Sequence, residues 1–210
     1  MAPSRPEIVP YIAAWSGEQP HRRQVVYGPR GGLAFADETI EDRDQHGVLW
    51  NGRAMRRGAG RPAYGDVHPA RQRVAMEHLL CQVCGHAAHR DARGVLWLIE
   101  DARGEWDGWP EGLLTTHPPV CLPCAGMAVR MCPHLAGGGT LAVRVRSSDA
   151  CAVYGRVWSS SPFGQPLRTA ARDVVAYGTA AARWVVAGQL VRSLHDCTVV
   201  DLQAELAACT

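Results

Sequence analysis

Two stretches of the chain alternate apolar and polar residues with a period of two. In "LAVRVR" (141–146), Leu141, Val143 and Val145 fall on one face, and in "ACAVYGRVW" (150–158), Cys151, Val153 and Val157 do the same. Such alternation predicts half-buried strands. Ser147, Ser148 and Asp149 between them predict a turn, and so a hairpin. Residues 180–195 follow a different period, with Trp184, Ala187, Val191 and Leu194 on one stripe, which predicts an amphipathic helix. "RQVVYGPRGGLAFADE" predicts two short strands around a glycine-rich turn. Strands are also expected at "GVLWLIED" (94–101), "GLLTTHPPV" (112–120) and "DVVAYG". Helices are expected at Pro10–Trp15, where proline suits a first turn, and at "PARQRVAMEHLL", which opens at Pro69. "CTVVDLQAEL" is expected to close the chain with a strand and a short helix.

This pattern divides the chain into three segments. Residues 1–68 are β-rich with an acidic cluster (Asp37, Glu38, Glu41, Asp42, Asp44), followed by an arginine cluster (Arg53, Arg56, Arg57, Arg61, Arg71, Arg73). Residues 69–136 hold the paired cysteines, and residues 137–210 follow the break "AGGGT". The expectation is one globule of α+β class, with small β-hairpins around a central metal unit and an amphipathic helix near the C-terminus.

Composition narrows the function classes. The 210 residues are 47% hydrophobic and 20% charged, as in an ordinary globular protein. A net charge of +2 does not announce a polyanion binder. Every one of the 22 basic residues is arginine and Asn51 is the one asparagine, the signature of a very GC-rich genome. That bias blunts any argument that arginine was selected over lysine at a given position. "MAPSRPEIVPYIAAWSGEQP" has no basic region followed by a long apolar core, and "ARWVVAGQLV" is too short to span a bilayer. A cytoplasmic protein with no membrane partner is expected. In a reducing compartment, eight cysteines point to metal or redox use and away from a disulfide framework.

The cysteine spacing is the sharpest chemical signal. "CQVC" (Cys81, Cys84) and "CLPC" (Cys121, Cys124) are two C-x-x-C pairs. Two thiolates at that spacing sit on a tight turn, and two such turns complete a tetrahedral S₄ shell, for which a structural Zn²⁺ is the expected ion. Gly85 directly follows the first pair, where a metal knuckle tends to need positive φ. The second pair runs into helix-compatible residues, so Cys121 and Cys124 are expected at a helix start, where the helix dipole favours thiolates. Cys132 and His134 in "RMCPHL" are weaker alternates, either replacing a pair member or joining His86, His89 or His117 in a second site. The opposing reading makes Cys132 a small buried residue and His134 a surface one.

Knuckle, β-hairpin, then a helix carrying the last two ligands: residues 69–134 resemble a treble-clef zinc finger. "ARQRVAMEHLLCQVCG" resembles the approach to the knuckle in zinc-stabilised HNH-type endonucleases. That resemblance implies a histidine general base on the hairpin, an orienting asparagine, and a metal-binding histidine on the helix. His117 is the one histidine in the right region, and so the weak catalytic candidate. The helix residues "AGMAVRM" supply no ligand, and Asn51 lies outside the motif. The residues therefore point to a non-catalytic binding protein, with a divergent nuclease or another enzyme as the alternative.

Binding residues are expected on the polar face of the predicted hairpin. Arg144, Arg146, Tyr154, Arg156 and Trp158 interleave arginine with aromatic rings, a combination that grips single-stranded nucleic acid or an acidic protein partner. The competing reading is an ordinary strand surface. Trp106 and Trp109 in "EWDGWPEG" are either partner anchors or caps on a small core.

Overall fold

In a computed structural model, residues 8–29, 31–131, 139–161 and 166–208 are described. Three short strands come first: β1 (Ala13–Trp15), β2 (Val25–Tyr27) and β3 (Leu33–Phe35). After a single 3₁₀ turn follow β4 (Leu49–Trp50), β5 (Pro62–Val67) and helix α1 (Pro69–Glu77). Next come β6 (Arg90–Asp91), β7 (Gly94–Glu100), β8 (Leu114–Thr115) and helix α2 (Leu122–Met131). The last elements are β9 (Thr140–Ser159), β10 (Leu167–Ala176), β11 (Val185–Val200) and helix α3 (Leu202–Ala207), with a 3₁₀ turn at Ala180–Trp184.

The chain forms two compact units, neither of them a continuous segment. One comprises Met1–Ala13, Val74–Ala150 and Arg192–Thr210, the other Ala14–Arg73 and Cys151–Val191. The long strands β9 and β11 contribute one part to each unit, so the three consecutive segments expected from the chain do not coincide with its units.

In the first unit, the strand order is β8–β11–β9–β7–β6. β7 runs antiparallel to β9, with Val95 opposite Val145 and Ile99 opposite Leu141. Its first six residues are all buried, because alternate side chains serve two cores. Leu96 and Leu98 pack with Cys81, Leu122, Cys124 and Ala125. Val95, Trp97 and Ile99 pack with Val143, Val145 and Leu194. A strand buried on both faces reads as a continuous apolar run, as "GVLWLI" does.

In the second unit, β4 lies parallel to β11 and β10 antiparallel to β9, while β2 and β3 form the hairpin expected from the glycine-rich turn. Leu33, Phe35 and Leu49 form its core with Trp158, Trp184 and Val186 packed against them. Glu18, His68, Arg71 and Gln72 are also buried in this unit. Gln72 acts as a surrogate strand neighbour, exchanging hydrogen bonds with the Leu190 backbone at 2.9 and 2.8 Å.

Several expectations are corrected. Residues 180–195 are not an amphipathic helix: they form a 3₁₀ turn and then most of β11. The buried positions of β11 are 185, 187, 190, 191 and 194. Alternation breaks phase at Gly188–Gln189, and the shifted pattern mimics a helical stripe. The predicted hairpin at 141–158 is one continuous strand, β9. Ser147–Asp149 stays extended because Arg192 reaches across, donating to Ser148 Oγ at 3.1 Å and to the Ser148 carbonyl. Pro10–Trp15 is a turn and a strand: the Tyr11 and Ile12 amides donate to Val83 and Gln82 carbonyls at 2.9 and 3.3 Å. Of "GLLTTHPPV" only Leu114–Thr115 is strand, paired with β11 and not with β7. Helix α1 begins at Pro69 as expected. Among the described residues, no helix is long and apolar enough to cross a membrane.

Candidate metal centre

The sulfurs of Cys81, Cys84, Cys121 and Cys124 all lie within 4.8 Å of one another. Cys84 Sγ and Cys121 Sγ, one from each pair, are 3.8 Å apart. A tetrahedron with sulfurs about 2.3 Å from a central ion has edges of about 3.8 Å. A disulfide would need about 2.05 Å. The donor set therefore fits one tetrahedral metal ion and no disulfide.

Local backbone structure presents these thiols. Cys81 opens a tight turn in which the Gly85 amide donates to the Cys81 carbonyl at 2.8 Å, and the Cys81 amide to the His86 carbonyl at 2.6 Å. Gly85 has φ +79°, and a Cβ there would meet the Tyr11 ring at 2.8 Å. Glycine is thus required twice, by the left-handed backbone and by the aromatic ring laid across it. The second pair stands where α2 begins: Cys121 precedes Leu122 and its carbonyl accepts from the Ala125 amide at 2.9 Å. Gln82 to Pro119 and His89 to Val120, both backbone bonds of 3.0 Å, tie the approach to α2 onto the knuckle. The chain between the pairs then spans β6 and β7, and β7 forms the floor of the cysteine cluster through Leu96 and Leu98.

Burial and mutual proximity set the electrostatics of the cluster. Burial pushes Cys81 up to about 11, against the pull of the Cys84, Cys121 and Val83 amides on its sulfur. Burial and the neighbouring thiols raise Cys124 further. At Cys84 burial is outweighed by hydrogen bonds from His86 and Cys81, and the thiol falls to about 7. Four thiols this close, two of them buried, resist carrying several negative charges by themselves, and a divalent ion in their midst would remove that penalty.

The other sequence candidates lie elsewhere. His117 is exposed, its amide donating to Thr115 Oγ1 at 3.0 Å and its carbonyl accepting from Trp97 Nε1 at 3.0 Å. Its imidazole is not among the clustered ligands. Cys132 and His134 fall outside the described residues. The five expected binding residues divide between the two units. Arg144 and Arg146 belong to the first unit and Tyr154, Arg156 and Trp158 to the second. Arg146 is exposed, but Arg144 is fully buried. The strand that carries Arg144 packs beneath α3, and Glu205 on that helix takes its guanidinium in an ion pair. Trp158 packs against the second unit's core. Trp109 packs against the first unit's core, while Trp106 is 38% exposed.

Glu205, His89, Asp91 and Arg93 form a cluster that the sequence did not reveal. Arg144 meets His89 Nδ1 at 2.8 Å and Asp91 at 3.6 Å, and Arg93 meets Glu205 at 2.6 Å. The available local signal was a single carboxylate on the apolar side of "LQAEL", which marks a buried partner without naming it. α3 also presses Leu206 against Gly126 of α2, where an added Cβ would stand 3.0 Å away. The metal cluster, α2 and the C-terminal helix are thus one packed assembly. Comparison with family models, with curated proteins and with solved structures finds no match.

Proposed function

We propose that this chain is a non-catalytic binding protein stabilised by one structural zinc ion. Its partner, nucleic acid or another protein, is contacted through arginine and aromatic side chains. The observation that carries the metal half is the closure of the cysteine set, four sulfurs within 4.8 Å of one another. Four thiolates fill a tetrahedron and leave no position for water or substrate, so the ion contributes folding energy and no chemistry. Zinc suits four thiolates without any redox apparatus nearby. Knuckle, short β6–β7 hairpin and cysteine-bearing helix, in that order, support a treble-clef reading of residues 69–136.

Support for the partner half is the exposure of Arg56, Arg57, Arg61 and Tyr64 in the second unit and of Arg146 in the first. The nuclease alternative calls for a ligand histidine on α2, and the described helix holds none.

Elemental analysis of purified protein tests the metal half. One zinc per chain is expected, lost in Cys81→Ser and Cys121→Ser; a zinc-free protein whose stability ignores both substitutions overturns it. Binding of a labelled oligonucleotide, weakening with salt and in Arg56→Ala/Arg146→Ala, is expected for a nucleic-acid partner. Salt-independent or absent binding leaves a protein as the partner. Metal-dependent DNA cleavage abolished by His117→Ala would replace this reading with the enzymatic one.

A further inference from the structure

The second unit contains a half-open cleft of about 380 Å³, lined by His46, Gly47, Val48, Thr179, Ala180 and Arg183 among its residues. That volume falls at the lower end of the roughly 300–1,000 Å³ typical of small-molecule sites. No carboxylate is among the lining residues.

Asp44 holds the His46–Val48 wall in place. Its Oδ1 accepts from the His46 and Val48 amides at 2.9 and 3.0 Å. Its Oδ2 accepts from Trp50 Nε1 at 2.8 Å and from the Tyr177 hydroxyl at 3.0 Å. Four donors converge on one carboxylate and occupy its acceptor sites. The same bonds seat the His46 ring on Tyr177, with centroids 3.9 Å apart and 27° between the planes.

Arg183 is held from its backbone. A Cβ on Gly32 would come within 2.5 Å of the Arg183 carbonyl oxygen, so the β2–β3 turn packs directly on it. The next residue, Trp184, is packed against the core and stands edge-on to Tyr27. The Arg183 side chain is nevertheless exposed, and no ion pair engages it among the described residues. Arg23 and Arg43 in the same unit are both taken up by carboxylates. A Cβ at Gly47 or Gly178 would meet nothing within 4 Å, so the space between these segments is open.

We infer that this cleft binds a small oxyanion, a carboxylate or a phosphate monoester, with the Arg183 guanidinium as a bidentate fork and the His46 imidazole as a second donor. A planar fork matches two oxygens of either group. Stacking on Tyr177 holds the imidazole in place before the ligand arrives, which reduces the ordering cost of binding. The site is independent of the metal centre and of the partner surface proposed above.

The test is a titration of the full-length protein with inorganic phosphate and, separately, with acetate, at constant ionic strength. The His46 Cε1–H resonance, assigned with His46→Gln, reports occupancy. A saturable shift is expected, at least tenfold weaker in Arg183→Ala and intermediate in Arg183→Lys, which keeps the charge but loses the fork. A response to phosphate alone assigns the site to phosphate esters, and one to acetate alone assigns it to carboxylates. The inference is overturned if neither anion gives a saturable shift. It is equally overturned if sodium chloride reproduces the shift, or if Arg183→Ala leaves it as strong as in the control Arg90→Ala.

Discussion

Arg144 on β9 and Glu205 on α3 form an ion pair in which the arginine side chain is fully buried and the glutamate nearly so. Arg93 adds a second cation to Glu205 at 2.6 Å. Replacing such a pair with well-fitted apolar residues is often neutral, but removing one partner leaves a buried charge uncompensated.

Glu205→Ala is therefore expected to lower the unfolding free energy by about 3 kcal/mol, with Asp91 relieving part of the uncompensated charge on buried Arg144. The double variant Arg144→Met/Glu205→Leu should cost less than the two single changes added together. Urea unfolding measures all three; strictly additive costs would show that the pair is not coupled.

Removing the metal should act on the first unit before the second, because all four cysteines belong to the first. With a chelator, amides of residues 81–89 and 121–131 should lose protection from hydrogen exchange, while those of 25–35 keep theirs. A loss of about 4 kcal/mol would lower the melting midpoint by roughly 8–16 °C in a chain of this size. Uniform loss of protection across both sets would contradict the expectation.

Acid should destabilise the second unit through Glu18. Its carboxylate accepts from Arg71 at 2.5 and 2.8 Å and from the Trp15 amide at 2.9 Å. The Arg71 hydrogen bonds, working against burial, hold it down at about 2. Its pKa is lower folded than unfolded, so the unfolded chain binds more protons between about pH 4.5 and 2. The stabilisation is complete above that window and is lost as pH falls through it, on the order of 3 kcal/mol in all. His68, lowered mainly by burial, adds a loss of the same sign as pH drops below its ordinary value. A Glu18→Gln variant should be less stable at neutral pH and show a flatter acid limb in denaturation followed by tryptophan fluorescence.

Gly94 starts β7 with φ +119°, and a Cβ there would lie 2.1 Å from the Val145 carbonyl oxygen. Gly94→Ala must separate β7 from β9 or twist the strand end, at a cost of roughly 2–4 kcal/mol. Gly104→Ala, where a Cβ meets nothing within 4 Å, should cost only its backbone strain. Equal effects of the two substitutions on thermal stability would rule out the close approach as the cause.

The four cysteines that could hold a metal ion were legible because their signal is local. Two cysteines three positions apart mark a candidate metal-binding pair wherever they occur, and Gly85 after the first pair completes its turn. The β2–β3 hairpin and α1 were legible for the same reason, each carrying its own turn glycines or opening proline. The long strands were not. Nothing near Ser147–Asp149 says that Arg192, far along the chain, will hold that segment extended. The apolar spacing of 185–194 satisfies a helical period, and only strand pairing with β4 and β8 decides otherwise.

The polar residues divide along the same line. The identity of the four clustered thiols was legible in the amino-acid order, because each C-x-x-C pair is a local motif. The meeting of the two pairs rests on tertiary bonds such as Gln82 to Pro119. Which arginines face solvent and which carry structure was decided by the tertiary fold. Arg144 and Arg146 are two positions apart on one strand, yet one is sealed under α3 and the other is exposed. The difference lies in the distant Glu205, whose position depends on the packing of Leu206 and α2 and not on any neighbour of Arg144 in the chain.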